Sequence, residues 1–350
     1  MLDRAGTPQR ATLKPGSQPL DPERLLAPLE KAGKLLLAVS GGPDSVALML
    51  LAGHWSGCHA VPIEVATVEH GLRDDSRQEA EQVAAWARAL GFAHHILSWD
   101  GDKPRTRIQE RAREVRYRLL AQCADYVGAD HIVTAHHADD QAETVLLRLT
   151  RGSGPAGLAG MAAFAQLQNV RLARPLLGVA KADLVAHCEA VGQPFLRDPS
   201  NENPAFARTR LRRLGDILGT EGLDHAALLR LARRAAQAEG ALAAIAAATR
   251  STLPAERRVD QVKIATSALA TLPQEIFQRI LEAEILAFSG SQARLRLDRL
   301  ERAAMEIAAA VRDSRTFATT LGSARIAVTQ NGEVEISRAP ARRPSRSHSA

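Results

Sequence analysis

The chain reads as an α/β protein: a doubly wound parallel sheet in a large N-terminal domain, then a smaller, mainly helical C-terminal domain. Three observations carry this expectation. Strand and helix signals alternate through four successive βα units between Leu35 and Leu149, the pattern of a parallel sheet with helices on both faces. Glycines punctuate the borders, with Gly91 and Gly128 each closing a helix. Beyond Leu223 an Ala-rich amphipathic stretch predicts a long helix leading into a second domain, and 350 residues suit two domains better than one.

Each element has its own justification. Residues 1–20 are rich in Pro, Gly, Gln and Thr without periodicity, and read as a disordered leader. Asp21-Pro22-Glu23 opens a helix with a cap, a proline in the first turn and an early acid. The expected units are strand Leu35–Val39 with helix Asp44–Leu51, and strand Ile63–Val68 with helix Ser76–Leu90. Strand His95–Trp99 with helix Thr106–Val127 and strand His131–Ala135 with helix Asp139–Leu149 complete the four. The run Gly152–Gly160 is so rich in glycine that it reads either as a mobile loop or as a plain connector. Helices resume at Ala180–Val191 and Phe206–Leu218, closing a first domain of residues 21–218. The second, residues 219–337, holds the helix Leu223–Thr249, a strand at Val259–Ile264, helices Gln274–Ala287 and Ala293–Val311, and β-like segments over Thr316–Ile336. Residues 338–350 form a basic tail without apolar anchors, expected to be disordered.

Composition removes several function classes. Cys58, Cys123 and Cys188 lie far apart with no Cys-x-x-Cys pair, which argues against a zinc ribbon, an iron–sulfur cluster or a redox dithiol. No apolar run is long enough to span a bilayer and no signal-peptide core is present, so a cytoplasmic location is expected. The net charge of +6 is a modest pointer to a polyanionic partner.

Four clusters carry chemistry. Ser40-Gly41-Gly42-Pro43-Asp44-Ser45 joins a strand to a helix, where unpaired N–H groups and the helix dipole suit phosphate. No Gly-Lys-Ser/Thr follows, so it is not a Walker A loop; the bland alternative is an ordinary turn capped by Asp44 or Ser45. The second cluster, Thr134–Thr144, gathers His136, His137, Asp139, Asp140 and Glu143 at another strand-to-helix corner. Asp140 and Glu143 share a helical face, while Ala142, Val145, Leu146 and Leu149 form the apolar stripe. Capping accounts for some of these acids, but not for two histidines and three acids together. In the third, Arg113 and Arg116 sit three apart beside Tyr117 on a helix whose buried stripe is Ile108, Ala112, Val115 and Leu119. In the fourth, Arg197-Asp198-Pro199-Ser200-Asn201 leads to a helix bearing Arg208, Arg210, Arg212 and Arg213, and planar guanidinium groups suit phosphates and base stacking.

These stretches, in this order, resemble the tRNA(Ile)-lysidine synthetase family of the PP-loop ATP-pyrophosphatase superfamily, over roughly residues 34 to 215. Ser40–Ser45 marks the superfamily only. The His136–Thr144 string with Arg151-Gly152-Ser153-Gly154 marks the lysidine enzymes, joined by Val68–Arg73, Arg174–Leu177 and Asp198–Asn201. The resemblance implies a PP-loop fold related to the adenine nucleotide α-hydrolases, ATP and Mg²⁺ as cofactors, and free L-lysine and a CAU-anticodon isoleucine tRNA as partners. The implied reaction adenylates C2 of the wobble cytidine, then lets lysine displace AMP. Residues 21–218 become the catalytic domain and 219–337 a tRNA-binding one.

On that reading Ser40, Gly41, Gly42, Pro43 and Ser45, with His70 and Arg113, bind the nucleotide, and Asp44 holds or orients the metal. Asp140 and Glu143 suit the lysine cation, and His137 or Asp140 its proton. Arg116 neutralises phosphate or meets the tRNA, and Arg208, Arg210 and Arg212 contact tRNA. A homodimer is compatible with the sequence. Thr209 stands where the family usually has Asn, and longer relatives carry a further C-terminal domain. A tRNA thiolase of the same superfamily and a non-catalytic RNA-binding module are the competing readings. An amidotransferase would need a glutaminase domain for which there is no room.

Overall fold

Alternation along β1 (Leu35–Ala38) divides the core beneath the parallel sheet into two layers. Leu35, Leu37 and Val39 enter one buried cluster and Leu36 the other, as the two-residue period of a strand requires. The computed structural model describes residues 19–69, 71, 76–99, 108–197, 207–289 and 295–339. They divide into two units, Met1–Ala236 and Gln237–Ala350. Most of the expected leader and tail, His70, and the Asp198–Asn201 turn lie outside the described residues.

The first unit begins with α1 (Pro22–Leu26), where the Asp21 carboxylate accepts the Glu23 N–H as the cap reading expects. After β1 come α2 (Pro43–Ser56), β2 (Ile63–Glu69), α3 (Ser76–Ala89), β3 (Ala93–Ser98), α4 (Ile108–Val127), β4 (His131–Thr134) and α5 (Ala138–Leu149). Then follow α6 (Pro155–Leu158), β5 (Phe164–Leu167), β6 (Val170–Ala173), α7 (Lys181–Ala190), α8 (Ala207–Thr220) and the start of α9 (His225–Thr252). The sheet order is β3-β2-β1-β4-β6-β5, parallel throughout except for the antiparallel edge pair β5–β6. Helices α2, α3 and α7 pack on the face with Leu37, and α4 packs on the other through Leu120, Ala121 and Ala124. The chain runs outward from β1 through β2 to β3 and returns on the far side of β1 as β4. Strand order therefore reverses between β1 and β4, where such sheets bind their ligands.

The β5–β6 hairpin falls in the stretch that the sequence leaves without a pattern. Its strands are four residues each, β5 without a buried residue and β6 buried at all but Arg171, and it turns at Gln168 with φ 52, without a glycine; the usual turn signal is missing. The Gly152–Gly160 run is pinned rather than loose. Gln141 on α5 exchanges two hydrogen bonds with the Met161 backbone, at 2.9 and 2.7 Å. Arg148, also on α5, donates to the carbonyls of Gly157 and Gly160 at 2.8 and 2.6 Å.

The second unit contains the rest of α9, β7 (Ala255–Arg257), β8 (Gln261–Ala265), α10 (Thr266–Leu269), α11 (Gln274–Ser289), α12 (Leu297–Arg312), β9 (Phe317–Leu321), β10 (Ala324–Val328) and β11 (Glu333–Arg338). Its antiparallel sheet runs β7-β8-β11-β10-β9, with Ile280, Leu300, Ile307, Ile326 and Ile336 in the core. Val259, expected to open a strand, is fully exposed at the tip of the β7–β8 turn, closed by the Arg258 N–H on the Gln261 carbonyl at 2.8 Å. Among the described residues no helix is long and apolar enough to cross a membrane.

Two stability outcomes follow from these contacts. Gly41 has φ +87, and a Cβ there would lie 2.5 Å from Leu196 Cδ1. Gly41→Ala is therefore expected to cost about 1–3 kcal/mol in urea unfolding. Gly42→Ala, whose nearest neighbour would be Ser40 Oγ at 3.9 Å, should unfold like the parent. In the second unit Glu284 is 1% exposed and bridges Arg250 at 2.9 Å and Arg257 at 3.0 Å. Burial pushes its carboxyl up, but the two guanidiniums outweigh this and hold it below the ordinary value of 4.5. The stabilisation is thus full above pH 4.5 and fades as pH falls through the lowered value. Glu284→Ala should cost roughly 3 kcal/mol at neutral pH, the low end for a broken buried pair because both arginines reach solvent. The cost should shrink in acid when melting is followed at each pH.

Candidate active site

Where β1 ends, the chain must turn sharply into α2, and the local sequence supplies what that turn needs. Gly41 takes the left-handed conformation and its carbonyl accepts the Leu196 N–H at 2.8 Å. Gly42 is the N-cap of α2, with Pro43 at the first helical position, where its missing N–H costs nothing. Ser45 ties the loop together: its hydroxyl accepts the Ser40 N–H at 3.1 Å and donates to the Gly42 carbonyl at 3.0 Å. The first-turn amides of a helix have no partner within it, so the loop presents N–H groups and the positive end of α2 to an anion. Space is available at Gly42, where among the described residues only Ser40 Oγ, at 3.9 Å, comes within 4 Å of an added Cβ.

Beside it, β4 ends in the second cluster. Ala38 and Thr134 are register partners, so the two loops emerge from adjacent strands. His136 Nδ1 lies 2.8 Å from Thr134 Oγ1. His137 is the N-cap of α5: its backbone N–H donates to Asp140 Oδ2 at 3.3 Å, and the Asp140 N lies 3.4 Å from Nδ1. Only 3% of it is exposed, and it stands among three carboxylates. Nε2 lies 3.5 Å from Asp44 Oδ2 and 3.5 Å from Asp140 Oδ2, and Nδ1 lies 3.5 Å from Asp139 Oδ2. Burial opposes its charge, yet hydrogen bonds to Asp139 and Asp44 and the charges of Asp140 and Asp44 raise it to about 9. The ring is therefore an imidazolium at neutral pH. Hydrogen bonding to His137 in turn holds Asp139 far below the usual carboxylate range.

The structure thus brings together Asp44, His137 and Asp140, three of the residues singled out from sequence. Glu143, on the same helix, is buried. Ala142, Val145 and Leu146 form the expected apolar stripe against Leu228 and Ala232 of α9. Leu149 does not belong to it: at the last position of α5 its side chain is exposed. Arg113 and Arg116 flank Tyr117 on α4, with guanidinium carbons 5.2 and 5.3 Å from the ring centroid. Arg208, Arg210 and Arg212 lie on α8; their side chains are outside the described residues. Three roles escaped sequence reading: Asp139 as the partner of His137, and Gln141 and Arg148 as the anchors of the glycine-rich run. Asp139 was visible as an acid, but nothing in a linear sequence reveals which acid faces an imidazole.

A divalent cation fits this site in one way. Among the described residues Asp44 Oδ1 is buried without a hydrogen-bond partner, an oxygen donor of the kind hard cations take. Among the described residues no group of three or more His, Cys, Asp or Glu side chains is arranged to hold a metal. A cation here would share one carboxylate with phosphate oxygens, the usual habit of Mg²⁺.

Comparison with known proteins agrees with this geometry. A family model described as the PP-loop domain matches residues 19–216. The tRNA(Ile)-lysidine synthase of Methylobacterium sp. (strain 4-46) is 48% identical over 323 residues, covering 88% of this chain and 92% of that protein. The tRNA(Ile)-lysidine synthase of Zymomonas mobilis is 37% identical over 266 residues, covering 75% and 78%. Among solved structures, the U34-tRNA thiolase NcsA from Methanococcus maripaludis matches with a TM-score of 0.51 at 16% identity, covering 61% of this chain and 77% of that one. That last likeness shows a shared fold. Identity of this extent, over a chain whose glycine turn and acidic corner meet at the sheet's switch point, means that the chain belongs to the tRNA(Ile)-lysidine synthase family.

Proposed function

We propose that this enzyme ligates free L-lysine to C2 of the wobble cytidine of an isoleucine tRNA with a CAU anticodon, consuming ATP and releasing AMP and pyrophosphate. The observation that carries the reading is the meeting of Asp44, from the phosphate-type turn, with His137 and Asp140 at 3.5 Å. An anion cradle and an amine-binding corner are what a two-step adenylation and ligation needs in one place.

The chain's own residues divide the work. Backbone N–H groups of the Ser40–Ser45 turn receive the nucleotide phosphates, and Asp44 Oδ1 would hold Mg²⁺. When bound, that ion supplies charge neutralisation for the departing pyrophosphate. His137, held protonated at neutral pH before substrate binds, adds positive charge beside Asp44 and is a poor proton acceptor. The acceptor role for the attacking amine therefore goes to Asp140, with Glu143 binding the ammonium group beforehand. His70, Arg113 and Arg116 remain assigned to nucleotide or RNA phosphate, and Arg208, Arg210 and Arg212 to tRNA. Residues 21–218 serve as the catalytic domain and 219–337 as a tRNA-binding one. Thr209 keeps the cations of its helix but forgoes an amide contact. The reaction is assigned to the cytoplasm.

The thiolase alternative draws no support from the cysteines. Cys123 and Cys188 are buried, and burial pushes their thiols up to about 11 and about 12, while Cys58 is exposed alone. Sulfur delivery calls for an accessible, low-pKa thiol or a cluster.

Labelled lysine is expected to enter a CAU-anticodon isoleucine transcript when ATP and Mg²⁺ are present; sulfur transfer or no incorporation would overturn the assignment. Asp44→Asn should cut pyrophosphate release by about 100-fold or more. Release within a few-fold of the parent would show that Asp44 neither holds nor orients the metal.

A further inference from the structure

We infer that Asp139 is a positioning residue, the fixed post that holds the His137 ring against Asp44 while contacting no reacting group itself. Its catalytic consequence rests on the function proposed above; its geometry does not.

One carboxylate here serves three elements. Asp139 Oδ2 accepts the Lys181 N–H at 2.9 Å and stands 3.5 Å from His137 Nδ1. The other oxygen, Oδ1, lies 3.6 Å from His225 Nδ1 at the start of α9. Lys181 is the first residue of α7, whose own N-cap, Ala180, makes no side-chain bond. Asp139 therefore supplies, from 42 residues away, the cap that α7 lacks. The neighbouring backbone is tied to the same place, because the Ala138 N–H donates to the Val179 carbonyl at 2.9 Å.

The other partners of His137 are less firmly held. Asp44 Oδ1 has no hydrogen-bond partner among the described residues. Asp140 Oδ2, 3.5 Å from Nε2, takes a longer hydrogen bond of 3.3 Å from the His137 backbone N–H. Without Asp139, the anchored carboxylate facing Nδ1 is gone, and the ring could turn at the expense of the Nε2 side. Nε2 would then leave Asp44 and Asp140, the two carboxylates assigned to metal and amine. Displacement of about an ångström at such a site costs on the order of 100-fold in rate.

A purely structural role, as the cap of α7, makes different predictions, and two variants separate them. Asp139→Asn keeps an oxygen for the Lys181 N–H and loses the charge that grips the imidazole. Lys181→Pro removes the anchoring N–H but suits the first turn of a helix, and Ala180, with φ -70 and ψ 144, already has the extended backbone that precedes a proline. Each full-length variant would be assayed for thermal midpoint, for kcat and for KM toward ATP and lysine in tRNA-dependent pyrophosphate release. The ring ¹⁵N signals of His137 would be recorded without ligands.

Positioning predicts that Asp139→Asn keeps its thermal midpoint and an ATP KM within about threefold, loses about tenfold or more in kcat, and shifts the His137 ring signals. Lys181→Pro should move the same signals and kcat in the same direction by less. The inference is overturned if Asp139→Asn retains parental kcat and ring signals. It is equally overturned if activity falls only in step with the folded fraction while the ring signals stay put. Should the parent fail to incorporate lysine, the functional reading fails, and the ring signals still decide the role of Asp139.

Discussion

The shared register of one strand underlies everything else in the first unit. Leu35–Ala38 pairs in parallel with Ile63–Ala66 on one side and with His131–Thr134 on the other. All three strands point the same way, so all three loops open at one edge. Because Ala38 and Thr134 are opposite each other, the residues two positions onward, Ser40 and His136, lie in neighbouring loops. Neither loop needs to be long. A glycine pair lets the first turn into its helix at once, and a histidine cap starts the second helix equally abruptly.

What these loops then hold is a burial problem solved by charge. A histidine that is 3% exposed would ordinarily be neutral. Here three carboxylates surround it, and their attraction exceeds the desolvation that opposes it. The arrangement fixes the ring in space and also leaves one oxygen of Asp44 unclaimed. The second unit handles charge differently, clamping Glu284 between two arginines, with Oε1 shared by Arg250 and Arg257 and Oε2 held by Arg250.

Most of the fold was legible because buried parallel strands and amphipathic helices leave strong periodic marks. The alternation of Leu35, Leu36 and Leu37 into opposite cores, the helix ends at Gly91 and Gly128, and the cap at Asp21 follow from local chemistry. The β5–β6 hairpin was not legible, since its strands are only four residues long, β5 has no buried residue, and the turn at Gln168 lacks a glycine. Val259 misled for the opposite reason: a β-branched residue stands at a turn tip where nothing buries it. Within the site, residue types could be read and partnerships could not. The acids of α5 were evident, but which one faces His137, and that Gln141 and Arg148 clamp a loop far along the chain, depends on tertiary placement.

Helix α5 has no idle face. Its first turn carries the acids and the histidine cap, its apolar side is committed to α9 through Val145 and Leu146, and Gln141 with Arg148 binds the 157–161 backbone. A clash awaits any side chain at Gly160, where a Cβ would sit 2.7 Å from the Gln141 amide oxygen. Freedom to drift is left mainly at its exposed end, Leu149 and Thr150. Substitution therefore has little room on this helix. Changes would have to arise in the loops and strands that face it, with α5 conserved as the template around which they vary.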